Sequence, residues 1–290
     1  MKRLAFIVLV TTTLFACNKH VERPPVVQDT DFNLVYGSSA GEQVFTATRS
    51  ADGGYVLAGS IKSVSGNPGN TDAWMLKLDN QGKMVWQKTF GGSDDELAFS
   101  VFSTRDGGYV IAGSTRSNDG NVAGYHGNGD ALVVKVDKNG TKEWQSTLGG
   151  SASDFASSII ETSEGGYIMV GQTGSKDGDV TNHHGRMDAW VVKLDKNGNK
   201  QWQKTFGGTE AEGADFIIES SEGGYIMAGW TNSNDGDVTG YHVGWGGTSI
   251  LFCIIGSSVS FYRDAPHLFL GVSQYLLHLP ALRQLVYQLV

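Results

Sequence analysis

The sequence predicts an all-β fold, a β-propeller of four-stranded antiparallel blades with about 58 residues per blade. Two observations support this. Forty of the 290 residues are glycine and 10% are aromatic, which is typical of many short strands joined by tight turns. A Gly-Tyr-Val or Gly-Tyr-Ile tripeptide also recurs at a nearly constant interval, in the segments 54–56, 108–110, 166–168 and 224–226. A fixed period of this length indicates that one supersecondary unit is repeated along the chain.

The third copy of the repeat shows the four strands, here called A to D, of one unit. Apolar runs bounded by turn residues place strand A at 155–160, strand B at 167–173, strand C at 188–194 and strand D at 200–206. Tight turns at 163–166 and 195–198 join A to B and C to D, and Asn197-Gly198 predicts a short hairpin turn. A longer polar loop, 174–187, joins B to C.

Three segments of this copy, 163–171, 188–195 and 202–208, resemble the SBBP and delta-60 type β-propeller repeats of bacterial surface and secreted proteins. The matching text is Ser-Glu-Gly-Gly-Tyr-Ile-Met-Val-Gly, Asp-Ala-Trp-Val-Val-Lys-Leu-Asp and Trp-Gln-Lys-Thr-Phe-Gly-Gly. The resemblance covers about residues 31–242. It implies the fold and says almost nothing about activity, because that family is defined by its repeat.

Aromatic residues at equivalent repeat positions are predicted to hold the blades together. Trp86, Trp144 and Trp202 fall in strand D of successive copies. An indole wedged between two blades buries about 150–250 Å² there. A structural role is also assigned to the tyrosine after each Gly-Gly turn, at Tyr109, Tyr167 and Tyr225. Sugar stacking is the alternative for the tryptophans, although binding residues tend to lie on loops.

The N-terminus reads as a targeting segment. Lys2 and Arg3 precede a short apolar run, and Ala16 stands directly before Cys17, which is typical of a secretory signal at 1–16. The segment is similar to the bacterial lipobox, which implies acylation of Cys17 and attachment to a lipid bilayer. Residues 17–30 are then a polar tether. An ordinary signal peptide with an incidental cysteine is the alternative.

The two ends of the repeat array differ from its middle. Residues 31–37 align with 201–207 and predict a lone strand D. The copies then occupy 38–92, 93–150, 151–208 and, in part, 209–242. The pattern stops in the apolar tail 243–290, which is interpreted as a frameshift or truncation product, with a genuine apolar extension as the alternative. The array is therefore expected to form an incomplete ring, an open arc, because closed propellers have about 4–8 blades.

Antiparallel order places the long connections on one face. The D-to-A and B-to-C connections leave from one face, called the loop face, and the tight A-to-B and C-to-D turns from the other, called the turn face. Any site is expected on the loop face. Its candidate ligand-binding residues are Asp119, Asp177, Asp179, Asp235 and Asp237, and further acids precede strand A at Asp94, Asp95, Glu96, Asp154, Glu210 and Glu212. Asp177 and Asp179 could bind Ca²⁺, but Asx-type turns are the favoured interpretation.

Composition and motifs bound the function. A net charge of −8 argues against nucleic-acid binding. No catalytic motif and no residue set that breaks the repeat stands out, so no catalytic residue and no cofactor are assigned. The histidines at 126, 183, 184 and 242 are treated as loop residues rather than zinc ligands. The expected function is a non-catalytic exported lipoprotein with a binding scaffold for a glycan or protein. The alternative is a surface protein that binds or cleaves polysaccharide.

Overall fold

The computed structural model describes Tyr36, residues 41–62, 70–220 and 223–238, and the backbone of two further strands. The first sheet contains β1 (Gln43–Arg49), β2 (Tyr55–Lys62), β3 (Thr71–Leu78) and β4 (Met84–Phe90). The second contains β5 (Glu96–Ser103), β6 (Tyr109–Thr115), β7 (Asp130–Val136) and β8 (Lys142–Leu148). The third contains β9 (Asp154–Glu161), β10 (Tyr167–Thr173), β11 (Asp188–Leu194) and β12 (Lys200–Phe206). The fourth contains β13 (Glu212–Glu219), β14 (Tyr225–Thr231), β15 (Ser249–Ile255) and β16 (Ser260–Tyr262).

The predicted all-β class and the four-stranded antiparallel unit are confirmed. Every sheet follows chain order, and all strand pairs are antiparallel. In the third copy, β10, β11 and β12 coincide with the predicted strands B, C and D, and β9 extends strand A by one residue at each end. No helix among the described residues is long and apolar enough to cross a membrane.

Successive sheets stack on one another through their first and second strands. The first strands β1, β5, β9 and β13 contact each other in sequence order. The second strand of each sheet also contacts the first strand of the next. This is the arrangement of neighbouring blades in a β-propeller, with strand A innermost.

A bulge in strand A explains one repeated glycine. The register of β9 against β10 shifts next to Gly171, so β9 has one residue more than its partner. A methyl group on Gly171 would lie 1.9 Å from the carbonyl oxygen of Phe155. The same shift stands opposite Gly59, Gly113 and Gly229. The bulge therefore requires glycine at this position in every copy.

The Gly-Gly turn before strand B has two different requirements. Gly165 adopts φ +89°, a left-handed conformation that favours glycine. A methyl group on Gly166 would lie 2.3 Å from the carbonyl oxygen of Leu194. The hairpin turn predicted at 195–198 joins the antiparallel strands β11 and β12. Only Gly198 has positive φ, and Asp195 Oδ1 accepts the backbone N–H groups of residues 197 and 199, so this is an Asp-anchored turn with a bulge.

Strand C is the most deeply buried element of the repeat. All seven residues of β7 and of β11 are buried, because sheets cover both of their faces. The hydrophobic clusters combine side chains of neighbouring sheets, so each junction between blades has its own core.

The predicted aromatic residues lie at these junctions. Trp144 of the second sheet makes an edge contact with Tyr167 of the third, with ring centroids 5.3 Å apart. Trp86 and Tyr109 repeat this contact one junction earlier, at 6.0 Å. Trp202 packs against the cluster that contains Tyr225. These contacts are those of inter-blade wedges, and none of the three tryptophans lines the cleft described below.

Strand C also carries a buried lysine that anchors the turn face. Lys135 is 1% exposed, and its Nζ lies 2.8 Å from Asp106 Oδ2 and 2.9 Å from Glu143 Oε2. Lys77 and Lys193 reach the A-to-B turns of their own sheets in the same way. This role of the strand C lysines was not predicted from the sequence.

The fourth sheet takes its last two strands from the tail. Thr231 pairs with Ser249, as Thr173 pairs with Asp188 one copy earlier. The sequence analysis ended the repeat at residue 242, whereas the backbone of β15 and β16 completes the sheet with segments whose sequence does not match strands C and D. The predicted lone strand at 31–37 lies outside the described residues except for Tyr36, and Cys17 lies outside them as well.

Candidate functional site

Three of the candidate aspartates on the loop face brace the loops. Asp119 Oδ1 accepts the backbone N–H of Ser93 at 2.7 Å. Asp177 Oδ1 accepts the backbone N–H of Ser151 at 2.8 Å, and Asp235 Oδ1 accepts that of Thr209 at 2.8 Å. The hydrogen bond from Ser151 lowers the pKa of Asp177. Each of these carboxylates thus accepts a hydrogen bond from the neighbouring D-to-A loop.

The remaining two candidates also have partners. Asp179 Oδ1 lies 2.5 Å from Lys200 Nζ, and its Oδ2 accepts the N–H of Gly149 at 3.2 Å. Asp237 Oδ2 lies 3.7 Å from His184 Nε2. No group of three or more potential metal-ligating side chains converges within the part of the chain that the structure describes. Asp177 and Asp179 are therefore engaged in loop contacts, and they do not form a shared oxygen cage.

The acids at the start of strand A are buried, although they were expected on an open acidic face. Glu96, Asp154 and Glu212 are 0–1% exposed. Asp154 accepts hydrogen bonds from the Thr173 hydroxyl at 2.5 Å, the Ser175 hydroxyl at 2.7 Å and the Gly150 N–H at 2.9 Å. Glu96 and Glu212 have equivalent partners. Burial raises the pKa of Glu96, and its hydrogen bonds oppose that rise.

A second buried carboxylate begins strand C. Asp130 and Asp188 are both 0% exposed. Each holds a histidine of its own B-to-C loop: His126 Nδ1 lies 2.8 Å from Asp130, and His184 Nδ1 lies 2.8 Å from Asp188. The histidines thus occupy the same place on successive sheets, as expected for loop residues. His242 lies outside the described residues.

A cleft of about 390 Å³ opens on the loop face across the first three sheets. It lies where the D-to-A loops meet the ends of strands B and C. Its volume falls in the range of small-molecule sites. The lining residues are Thr71, Asp95, Leu97, Ser114, Thr115, Arg116, Asn128, Gly129, Ser153, Asp154 and Phe155.

The cleft collects residues that differ between copies of the repeat. The position of Arg116 is glycine in the third copy and asparagine in the fourth. The position of Asp95 is serine in the third copy and alanine in the fourth. The position of Phe155 is leucine in the second copy and glycine in the fourth. The bracing positions, in contrast, keep their chemistry: Asp119, Asp177 and Asp235 are all aspartate. These positions are scattered along the chain and converge only in the fold, so they were not recognised from the sequence as a set that breaks the repeat.

The side chains of the cleft differ in how far they are engaged within the protein. Arg116 is exposed, and its guanidinium makes no hydrogen bond or ion pair with any residue that the structure describes. Asp95 Oδ1 accepts the N–H of Thr71 at 2.9 Å and its hydroxyl at 3.1 Å, which holds that carboxylate at the cleft wall. Phe155 is half-buried and lies edge-on to Phe99, with centroids 6.3 Å apart.

Comparison with known proteins identifies no family. No family model matches the chain. The regulatory protein FlaEY of Caulobacter vibrioides is 26% identical over 188 residues, which cover 57% of this chain and 20% of FlaEY. A solved protein of unknown function from Bacteroides caccae is 11% identical, with a TM-score of 0.42, and the match covers 79% of this chain and 62% of that one. A Bombyx mori β-fructofuranosidase is 14% identical, with a TM-score of 0.40, over 77% and 51% of the two chains. The chain thus spans about a fifth of FlaEY, and these likenesses leave the function to be argued from the cleft.

Proposed function

We propose that this chain is a non-catalytic binding scaffold of the cell envelope and that its ligand occupies the cleft on the loop face. One observation carries the proposal. The recurring aspartates Asp119, Asp177 and Asp235 are engaged in loop contacts, whereas three residues that do not recur, Asp95, Arg116 and Phe155, lie together at one cleft. Binding requires unlike groups at one point, and a repeated fold provides them only where its copies differ.

The cleft suits a polyhydroxylated ligand such as a glycan. Asp95 offers carboxylate acceptors, while Arg116 and Asn128 offer N–H donors. Phe155 adds an apolar surface beside them, and few but well-placed polar groups beside an apolar wall are typical of small-ligand sites. A surface polysaccharide is therefore the ligand class that this cleft favours.

The same groups favour binding over polysaccharide cleavage. Glycoside hydrolysis commonly uses two carboxyl groups on either side of the scissile bond. Asp154 lines the cleft, but it is 1% exposed and accepts three hydrogen bonds from its own sheet. Asp95 is then the accessible carboxylate among the lining residues, and one such group does not form an acid–nucleophile pair.

A glycan array probed with the full-length chain tests the proposal. Glycan binding is expected, and Arg116→Gln and Phe155→Ala are expected to weaken it at least tenfold, because each removes a group that faces the ligand. Arg105→Gln is the matched control, since Arg105 lies on the turn face beside Glu161. Binding that survives both cleft variants would place the ligand elsewhere, and an array without signal would favour a protein partner.

The proposed setting is export and attachment to a membrane through acylated Cys17, with the described sheets forming an incomplete propeller. Cys17→Ser is expected to move the chain from the membrane fraction to the soluble exported fraction. Continued membrane attachment of this variant would contradict lipidation. A monodisperse, protease-resistant monomer of the 290-residue chain would contradict an open arc.

A further inference from the structure

Two buried carboxyl groups meet where the second and third sheets join. Asp130 begins strand C of the second sheet and Asp154 begins strand A of the third, and they are 0% and 1% exposed. A methyl group on Gly149 would lie 2.9 Å from Asp130 Oδ1 and 2.6 Å from Asp154 Oδ2. Both oxygens therefore lie beside the backbone of Gly149, and both carboxyl groups are shielded from water.

The hydrogen bonds around the pair leave one oxygen without a partner. Asp154 Oδ2 accepts from the Gly150 N–H and the Ser175 hydroxyl, and Asp154 Oδ1 accepts from Thr173. Asp130 Oδ2 accepts the N–H of His126 at 2.8 Å and lies 2.8 Å from His126 Nδ1. Asp130 Oδ1 is buried and has no hydrogen-bond partner among the described residues. A buried polar atom without a partner costs about 1–3 kcal/mol.

We propose that Asp130 Oδ1 carries a proton and donates it to Asp154 Oδ2, so that one proton is shared at this junction between sheets. The proton gives the unpartnered oxygen a hydrogen bond and removes one of two buried like charges. Both effects stabilise the packing of the second sheet on the third. The proposal does not depend on what the cleft binds, although Asp154 and Gly129 line that cleft.

Among the described residues that face the pair, His126 is the group that can offset a negative charge: its Nδ1 lies 2.8 Å from Asp130 Oδ2, and its charge lowers the pKa of Asp130. His126 and Tyr125 come from the B-to-C loop of the second sheet. Asp179 reaches the junction from the next B-to-C loop, through the N–H of Gly149, and carries a negative charge. Lys200 pairs with Asp179. No described lysine or arginine forms an ion pair with Asp130 or Asp154.

The electrostatics of Asp130 agree with this geometry. Burial is the largest effect and raises the pKa of Asp130. The hydrogen bonds from His126 lower this pKa, whereas the charge of Asp154 raises it, and the net shift is upward. A carboxyl whose folded pKa exceeds its unfolded value of about 3.8 stabilises the fold most when it is protonated. That stabilisation is complete below the unfolded pKa and is lost as pH rises through the folded one.

The next junction provides an internal comparison. Asp188 and Glu212 flank Gly207 in the same way, at 2.8 and 2.6 Å from the added methyl. There, Asp188 Oδ1 accepts the N–H of Gly185 at 3.2 Å and lies 3.8 Å from His183 Nε2. This oxygen already has a donor, so the junction needs no shared proton.

Asp130→Asn tests the proposal in the full-length chain, because its amide N–H replaces the carboxyl proton at every pH. The melting temperature of D130N is expected to match that of the unmodified chain at acidic pH. It should exceed it by a few degrees once the pH has risen enough for the unmodified carboxyl to lose its proton, because the amide has none to lose. Asp188→Asn is the control. It should lower the melting temperature of the chain by the same amount at every pH, because the new amide N–H would face the N–H of Gly185 and neither could accept the other's hydrogen. A difference between D130N and the unmodified chain that does not change with pH would overturn the proposal.

Infrared spectroscopy with ¹³C-labelled aspartate tests it without relying on the folding of D130N. Asp215→Asn serves as the parent chain, because burial also raises the pKa of Asp215. A protonated-aspartate band is expected to persist above the usual aspartate pKa of about 3.8, because burial raises the pKa of Asp130. Absence of that band in the folded parent would overturn the proposal, as would its persistence in a D215N/D130N chain that folds.

Discussion

The two faces of the stacked sheets use the repeat differently. On the turn face, each of the first three sheets anchors its A-to-B turn with a buried lysine of strand C, at Lys77, Lys135 and Lys193. On the loop face, recurring aspartates brace the loops. The cleft between them combines recurring residues, such as Thr115 and Asp154, with residues that change from copy to copy, such as Arg116. Recurrence therefore marks what the fold needs, and departure from recurrence marks positions that the fold leaves free to vary.

The largest effect is expected from removing an inter-blade ring. Trp144→Ala deletes the indole that packs against Tyr167. The same indole lies close to the backbone of Gly198, where an added methyl group would be 2.5 Å from the ring. The free energy of unfolding should fall by about 3–5 kcal/mol, measured by urea denaturation. Trp144→Phe should cost less, because it keeps part of the ring contact. A loss below about 1 kcal/mol for the alanine variant would mean that this ring does not hold the junction.

A smaller, pH-dependent effect is expected at the turn face. Burial acts to raise the pKa of Asp106, but hydrogen bonds from Lys135, Thr104 and Gly108 lower it to about 2. A lowered carboxyl pKa stabilises the fold above the unfolded value of about 3.8, and that stability is lost as pH falls toward 2.

Lys135→Met should destabilise the chain at neutral pH and flatten the loss of stability between about pH 4 and pH 2, because Asp106 then has no buried ammonium partner. Thermal denaturation at several pH values measures both effects. The Asp106 and Glu143 side chains are 56% and 45% exposed, so solvent screens these ion pairs and limits the size of the change. An unchanged slope below pH 4 would show that the pair does not determine the acid response.

The smallest effect on stability is expected in the cleft. Arg116→Gln should change the free energy of unfolding by no more than about 0.5 kcal/mol, because the guanidinium has no described partner to lose. The same variant should nevertheless lose ligand binding. A large loss of stability would place Arg116 with the structural residues and would remove the contrast between the cleft and the rest of the loop face.

Most of the blade was predictable from local pattern, whereas the burial of its acids was not. Strands B, C and D of the third copy were located by apolar runs and turn residues, since these are short-range features. Glu96, Asp154 and Glu212 were expected on an open face because acidic residues in loops are usually solvated. They are buried because Thr and Ser hydroxyls and backbone N–H groups of neighbouring segments satisfy them.

The sequence by itself determined the repeat, the strand order within each unit and the positions of the Gly-Gly turns. Those features depend on residues close together in the chain. Only the tertiary structure decided which polar residues are engaged in internal contacts, where the bulge in strand A requires glycine, and that Asp130 and Asp154 both lie beside Gly149. Such relations join residues that are distant in the chain, and the pairing of strands and the stacking of one sheet on the next determine their distances.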